Sequence, residues 1–371
     1  MTKTRKNLLP QVVDILNLYD AFEGAAAGKR QRPEVQRFEF NLEARLHRMR
    51  QRVIEGRYRW GNYRRFLIHD PKQREIRAPP FRDRVLHHAI VNVCDPLFER
   101  GFIADTYACI RGRGQHRAVE RYRQFVRARR GQGYVLKCDI AGYFRSVDHE
   151  VLTALLARRI GDPQLLALLA SLITHGAEGP GISMPIGSLT SQMFANLYLD
   201  PLDHFVKESL RVRHYLRYMD DFILLLDDRA QARRRLAEIE TFLNERLRLC
   251  LNPRRRTIAL LSAACDVLGY VHQPDGRVRV RRRNVQRLRK RVAALEEDFE
   301  NGWGEWTHVR SSLASWVGLA GRADAFRLSR QIFIPTLHKF SEMEARRVVF
   351  PGSVAIPARK FMQRWGLLPA M

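Results

Sequence analysis

His214-Tyr-Leu-Arg-Tyr-Met-Asp-Asp-Phe-Ile-Leu-Leu-Leu226 holds two apolar runs on either side of Met219-Asp220-Asp221. The runs His214–Tyr218 and Phe222–Leu226 predict two buried strands, with the aspartates at a hairpin tip. Solvated Asp-Asp pairs are common in turns. At the end of a buried hairpin the same pair is costly, because the charges repel and lose hydration. A bound divalent cation offsets that cost. Another apolar stretch, Tyr134-Val-Leu-Lys-Cys-Asp139, predicts a strand that also ends on a carboxylate. If folding sets Asp139 against the hairpin tip, three carboxylates converge. Hard Mg²⁺ binds through one or two carboxylates plus substrate phosphates. Two such ions, roughly 4 Å apart, activate a 3′-hydroxyl and stabilise leaving pyrophosphate.

Outward from this centre the chain alternates helical and strand patterns. Residues 9–28 and 34–56 predict helices, and 63–78 predict strands with a turn at Asp70-Pro71. Helices are expected at 84–98, 117–130, 148–160, 163–174, 188–210 and 229–248. Short strands are expected near 256–261 and 266–272, before a turn at Gln273-Pro-Asp-Gly276. Residues 281–291 carry seven positive charges in eleven positions, with Val285, Leu288, Val292, Leu295 and Phe299 on one helical face. A further helix is expected at 306–320. The expected division is 1–130, 131–280 and a helical segment, 281–371.

The composition points to a polyanionic partner. Of 371 residues, 65 are Lys or Arg and 39 are Asp or Glu, a net charge of +26. Nine lysines leave 56 arginines. A GC-rich genome accounts for arginine in place of lysine, but not for the excess of positive over negative. A surplus this large predicts nucleic acid or an acidic membrane surface as partner. The five cysteines form no CxxC pair, so neither a zinc site nor a disulfide framework is expected. Neither a membrane span nor a signal peptide is legible, and a soluble intracellular protein is expected.

Several motifs together resemble reverse transcriptases. Asp139-Ile-Ala-Gly-Tyr-Phe144 resembles the first palm motif of that family, and Tyr218-Met-Asp-Asp221 its YxDD box. Leu268-Gly-Tyr270 is similar to the primer-grip turn. Arg82-Asp-Arg-Val85 with His87-His88 resembles a fingers motif, followed by the loop Arg111–Gly114. Within the superfamily, Pro185-Ile-Gly-Ser-Leu-Thr-Ser-Gln192 carries the IGxxxSQ form of diversity-generating retroelements, where most relatives have QGxxxSP.

The resemblance implies a right-hand polymerase of α+β class, with fingers (1–130), palm (131–280) and helical thumb (281–371). It implies an RNA-directed DNA polymerase using two Mg²⁺ ions, with Asp139, Asp220 and Asp221 catalytic and Asp139, Ile140, Asp220 and Asp221 at the metals. Phe144 matches the steric gate against a 2′-hydroxyl; plain core packing is the alternative. Lys72 and Arg74 would clamp the dNTP, or form a solvated basic hairpin. Gln192 would lie at the dNTP, and Ile186 and Gly187 beside the template. Ser191 and Gln192 alternatively cap the following helix. Arg111 and Arg113, between glycines, would reach phosphates. Arg287, Arg289 and Lys290 would lie along a duplex backbone, or form a solvated helix face. Arg256 stands where many relatives have a lysine that assists pyrophosphate departure, and arginine is a poorer proton donor. His87, His88 and His149 are expected to be structural.

The partners so implied are template RNA, an RNA/cDNA duplex, dNTPs and a small basic accessory protein that forms an oligomeric ring. The expected setting is cytoplasmic, in a bacterium or phage, with no membrane. The rivals are group II intron-like, retron-like or defence-associated reverse transcriptases, and a non-catalytic RNA-binding protein on the same fold. A chain ending soon after the thumb is not expected to be a complete intron-encoded protein.

Overall fold

The computed structural model describes residues 4–69 and 73–347, with only the backbone described for 341–347. The predicted turn at Asp70-Pro71 and the predicted dNTP ligand Lys72 lie outside the described residues.

The two long N-terminal helices expected from periodicity are each divided. Helices α1 (Leu9–Val12) and α2 (Ile15–Ala26) are separated because the Asp14 carboxylate accepts from the N–H groups of Leu16 and Asn17 and caps α2. Helices α3 (Pro33–Glu39) and α4 (Leu42–Ile54) follow. Strands β1 (Arg64–Ile68) and β2 (Arg74–Ala78) form an antiparallel ribbon. Next come α5 (Phe81–Glu99), α6 (Gln115–Ala128) and β3 (Tyr134–Asp139). Then follow α7 (Tyr143–Ser146), α8 (His149–Ala157), α9 (Pro163–Gly176) and α10 (Leu189–His204), which runs into a π-helical turn at Phe205–Ser209. The hairpin β4 (His214–Tyr218) and β5 (Asp221–Leu226) precedes α11 (Arg229–Leu247) and β6 (Thr257–Leu260).

Where one strand was expected at 266–272 there are two, β7 (Cys265–Val267) and β8 (Tyr270–His272). Leu268 and Gly269 both take positive φ, 47° and 93°, and reverse the chain there. Strand β9 (Val278–Val280) follows the Gln273–Gly276 turn. Helices α12 (Arg282–Glu300), α13 (Trp306–Ala320) and α14 (Phe326–Arg347) complete the described chain.

These elements form two compact units. The first joins the residues up to Ala118 with Gly133–Ala259, and the second joins Val119–Gln132 with the residues from Leu260 onward. The first unit is built on a sheet of order β4-β5-β3-β6. Helix α11 packs on β3 and β5, and α10 packs against α5, α8 and α11. Most of α10 is buried, including Ser191, Asn196, Asp200 and Asp203. A helix enclosed this way carries its polar groups inside and must satisfy them there.

In the second unit, β7-β8-β9 form an antiparallel sheet. Val119 joins Tyr270 and Val278 in one apolar cluster, and the Tyr122 ring meets His272 edge-on at 4.7 Å. Leu288, Val292, Leu295 and Phe299 of α12 pack with Leu313, Trp316 and Phe333 in another.

Asp162 ties the N-terminus into the first unit. Its Oδ2 accepts from the Leu8 and Leu9 N–H groups at 2.7 and 2.8 Å. Its Oδ1 caps α9 by accepting from Gln164 and Leu165, both at 3.1 Å. Burial alone would raise its pKa, but the four N–H donors outweigh burial and hold it below the ordinary value. The depressed pKa contributes stability above the unfolded carboxylate pKa, and that stability is lost as pH falls through the folded value. Asp162→Ala is expected to lower unfolding free energy by about 2–3 kcal/mol at pH 7 in denaturant titration. The difference should shrink below about pH 4.

Candidate active site

Strands β3 and β5 pair antiparallel from Tyr134 opposite Leu226 to Asp139 opposite Asp221. Strand β4 pairs with β5 from the other side, ending with Tyr218 opposite Asp221. Met219 and Asp220 are therefore the two residues of a tight hairpin turn. Met219 has φ +58°. Two-residue hairpins favour positive φ to match strand twist, and glycine is the usual occupant. A side chain in that region costs about 1–2 kcal/mol.

The turn lies against the end of β3, where the Ile140 N–H donates to the Asp220 carbonyl at 3.3 Å. Asp139 is 4% exposed. Its Oδ2 accepts from Asn252 Nδ2 at 3.1 Å and from Arg255 Nη1 at 3.2 Å, and its carbonyl accepts from the Asn252 N–H. Burial raises the Asp220 pKa to about 6, and the like charges of Asp221 and Asp139 add to the shift. The three sequence-predicted aspartates are thus brought to one place. Among the described residues, no three His, Cys, Asp or Glu side chains already form a cluster of metal-ligand geometry. The donor chemistry nevertheless suits Mg²⁺. The oxygens are hard, and repulsion between a buried and two half-buried carboxylates is relieved by a cation.

Phe144 on α7 is partly buried at the core margin, its ring 5.6 Å from that of Tyr143, and its carbonyl accepts from the Met184 N–H. Ile186 and Gly187 lie beside β2, where the Ile186 carbonyl accepts from the Arg77 N–H at 2.8 Å. Gly187 has φ +111°, and a Cβ there would meet the Ile76 side chain at 2.8 Å. This close approach requires glycine. Ser188, not Ser191 or Gln192, occupies the N-cap of α10. Its hydroxyl turns to His87 Nδ1 at 2.8 Å instead of capping. Burial lowers the His87 pKa to about 4, keeping the ring neutral. Gln192 is half-buried on the first turns of α10, and Arg74 is exposed at the start of β2.

The loop arginines differ from one another. Arg111 is exposed. Arg113 Nη1 donates to the carbonyls of Ile103, Ala104 and Thr106 at 2.8, 3.3 and 2.8 Å, which braces its own loop. These bonds engage Nη1 alone; Nε and Nη2 carry the other three N–H groups of the guanidinium. Arg256 is ion-paired with Glu240. His149 Nε2 lies 2.8 Å from the Ser183 carbonyl.

Sequence reading missed Asn252 and Arg255, which touch Asp139, and Arg217, whose Nη1 donates to the Met219 carbonyl at 3.0 Å. Asn252-Pro253 reads only as a turn. Arg217 carried a signal: it is a charge in the middle of an otherwise apolar strand.

Residues 69–272 match the family model described as reverse transcriptase (RNA-dependent DNA polymerase), more than half of the chain. The chain belongs to the reverse transcriptases, and is an RNA-directed DNA polymerase with the α+β right-hand polymerase fold. It is 25% identical to protein YkfC of Escherichia coli over 62% of this chain and 71% of that protein. Against the group II intron-encoded protein LtrA of Lactococcus lactis it is 26% identical, over 44% of this chain but only 28% of LtrA. A solved structure of telomerase from Candida albicans with a fragment of telomeric RNA aligns over 85% of this chain and 68% of that one. Its TM-score is 0.45, with 12% identity. No helix among the described residues is long and apolar enough to cross a membrane.

In the second unit α12 exposes Arg287, Arg289 and Lys290 while burying Leu288 and Val292. Cations sorted to one side suit phosphate contacts that ignore sequence. Charge reversal at these three residues is expected to weaken template–primer binding on every sequence. In a salt titration each lost phosphate contact should lower the log–log slope by about 0.7–0.9; an unchanged slope would leave this face merely solvated.

Proposed function

We propose that this reverse transcriptase extends a primer 3′-end on template RNA at Asp139, Asp220 and Asp221, and that it serves a diversity-generating retroelement. The observation that carries the first half is the β3–β5 register, which sets Asp139 opposite Asp221 and beside the Asp220 turn. These carboxylates would hold two Mg²⁺ ions, with Ile140 contributing its main-chain oxygen. Bound there, the metals supply charge stabilisation at the attacking 3′-oxygen and the leaving pyrophosphate. The protein's part is to keep the carboxylates ionised and aimed. Phe144 would exclude a 2′-hydroxyl, and Lys72, Arg74 and Gln192 would hold the dNTP. Residues 1–130, 131–280 and 281–371 would act as fingers, palm and thumb. Asp220→Ala is expected to abolish primer extension while leaving RNA binding nearly intact, measured by extension and filter-binding assays. Undiminished incorporation would refute the site.

The retroelement half rests on Pro185–Gln192. Ile186 stands where most relatives carry glutamine, and its side chain offers dispersion contacts where an amide offers hydrogen bonds. Losing a positioning bond narrows the gap between right and wrong pairs, and about 1.4 kcal/mol of gap is tenfold in discrimination. In this reading a small basic accessory protein, forming an oligomeric ring, assists the enzyme. The similarity to LtrA favours a second reading, an intron-type enzyme that copies faithfully. Sequencing cDNA made on one template separates the two. The native enzyme is expected to misincorporate opposite adenine, and Ile186→Gln to reduce it. A low native adenine error rate would favour the intron-type reading.

A further inference from the structure

Arg217 is fully buried on β4, and so is its partner Asp203 on α10. Every guanidinium donor is used. Nε and Nη2 bind the two Asp203 oxygens at 2.8 and 2.7 Å, and Nη2 also reaches the Asn196 carbonyl at 3.4 Å. Nη1 donates to Asn196 Oδ1 at 3.3 Å and to the Met219 carbonyl at 3.0 Å. Asp203 is equally occupied, accepting also from Tyr215 Oη at 2.6 Å and Thr106 Oγ1 at 2.7 Å. A buried ion pair of this kind is often no more stabilising than apolar groups of the same volume. Stability alone therefore does not account for it. The pair does deliver one N–H, held rigidly, to the first residue of the catalytic turn.

That contact falls where the turn is strained, since Met219 occupies the left-handed region. The carbonyl of the next residue, Asp220, accepts from the Ile140 N–H. With both carbonyls held, the two peptide planes that flank the Asp220 Cα are fixed, and with them the direction in which the Asp220 side chain leaves the backbone. We propose that Arg217 is a positioning residue, which holds the left-handed Met219–Asp220 turn so that the Asp220 carboxylate faces Asp139. Asp203, Asn196, Tyr215 and Thr106 lock its guanidinium in place. The segment at 105–108 belongs to the same device. The Arg217 N–H donates to the Asp105 carbonyl, the Tyr107 N–H donates to the Arg217 carbonyl, and Asn196 Nδ2 donates to the Ala108 carbonyl.

This inference rests on the proposed role of Asp220, so Asp220→Ala is assayed beside the Arg217 variants. Arg217→Lys keeps the charge but cannot bind Asp203 through two nitrogens and reach Met219 as well. It is expected to lower kcat at least about tenfold, with KM for dNTP and template–primer affinity within about twofold. Mn²⁺ binding to the enzyme alone, followed by electron paramagnetic resonance, should weaken in parallel. Adding Met219→Gly removes the conformational penalty of the turn and should recover at least about threefold of the lost kcat. The double variant Arg217→Met/Asp203→Leu leaves no unpaired buried charge. It should melt within a few degrees of the native protein yet show the same loss of kcat and Mn²⁺ affinity. Native-like kcat in either folded variant, or no recovery with Met219→Gly, overturns the proposal. If neither Arg217 variant folds, the network is purely structural and the proposal falls. If Asp220→Ala remains active, the site reading itself is wrong; if it is inactive while Arg217→Lys is not, only this inference fails.

Discussion

Six consecutive pairs between β3 and β5, from Tyr134 with Leu226 to Asp139 with Asp221, constrain everything built around them. Side chains alternate along a strand, so a slip of one residue would turn Asp139 to the opposite face of the sheet from its present partners. Val135, Leu136, Leu224 and Leu225 are buried on both faces of the sheet, so a slip would force two packed layers to exchange side chains of different shape. The core thus serves as the alignment gauge for the carboxylates. Residues far from any chemistry decide whether the aspartates meet at all.

Around that frame, buried polar groups tie one segment to another. Asp162, Asp203 and Arg217 each sit in the interior with a full set of partners. The Ser188 hydroxyl and His87 Nδ1 meet across α5 and the loop into α10. Each tie joins segments distant in sequence, so together they fix the loop conformations that apolar packing leaves free. Packing is non-directional, whereas a guanidinium or carboxylate at a set distance specifies one backbone path.

Much of this was legible in the sequence because it depends on local pattern. The strand Tyr134–Asp139 and the hairpin around Met219 follow from unbroken apolar runs and a turn, and the bounds observed match the pattern closely. The divided helices at the N-terminus were not legible, since a capping aspartate at position 14 interrupts no hydrophobic period. Nor was the reversal at Leu268, where a leucine adopts a backbone that its side chain ordinarily disfavours. At the site, the aspartates declared themselves as paired charges among apolar neighbours. Asn252 and Arg255 did not, because their contact with Asp139 is created by the return of the chain more than a hundred residues later. The carbonyls that Arg113 Nη1 finds in its own loop were hidden for a similar reason: flanking glycines describe backbone freedom and say nothing of where a long side chain finds acceptors.

The second unit is assembled from two stretches of chain, Val119–Gln132 and the residues after Leu260, with the whole β3–β6 region between them. During synthesis the Val119 and Tyr122 side chains leave the ribosome well before Tyr270, His272 and Val278 exist to cover them. At translation rates of roughly 5–20 residues per second the wait is on the order of ten seconds. For that interval the nascent chain displays an uncovered apolar helix face. Chaperone capture, and the timing of translation across this stretch, therefore bear on the yield of folded enzyme even though neither touches its chemistry.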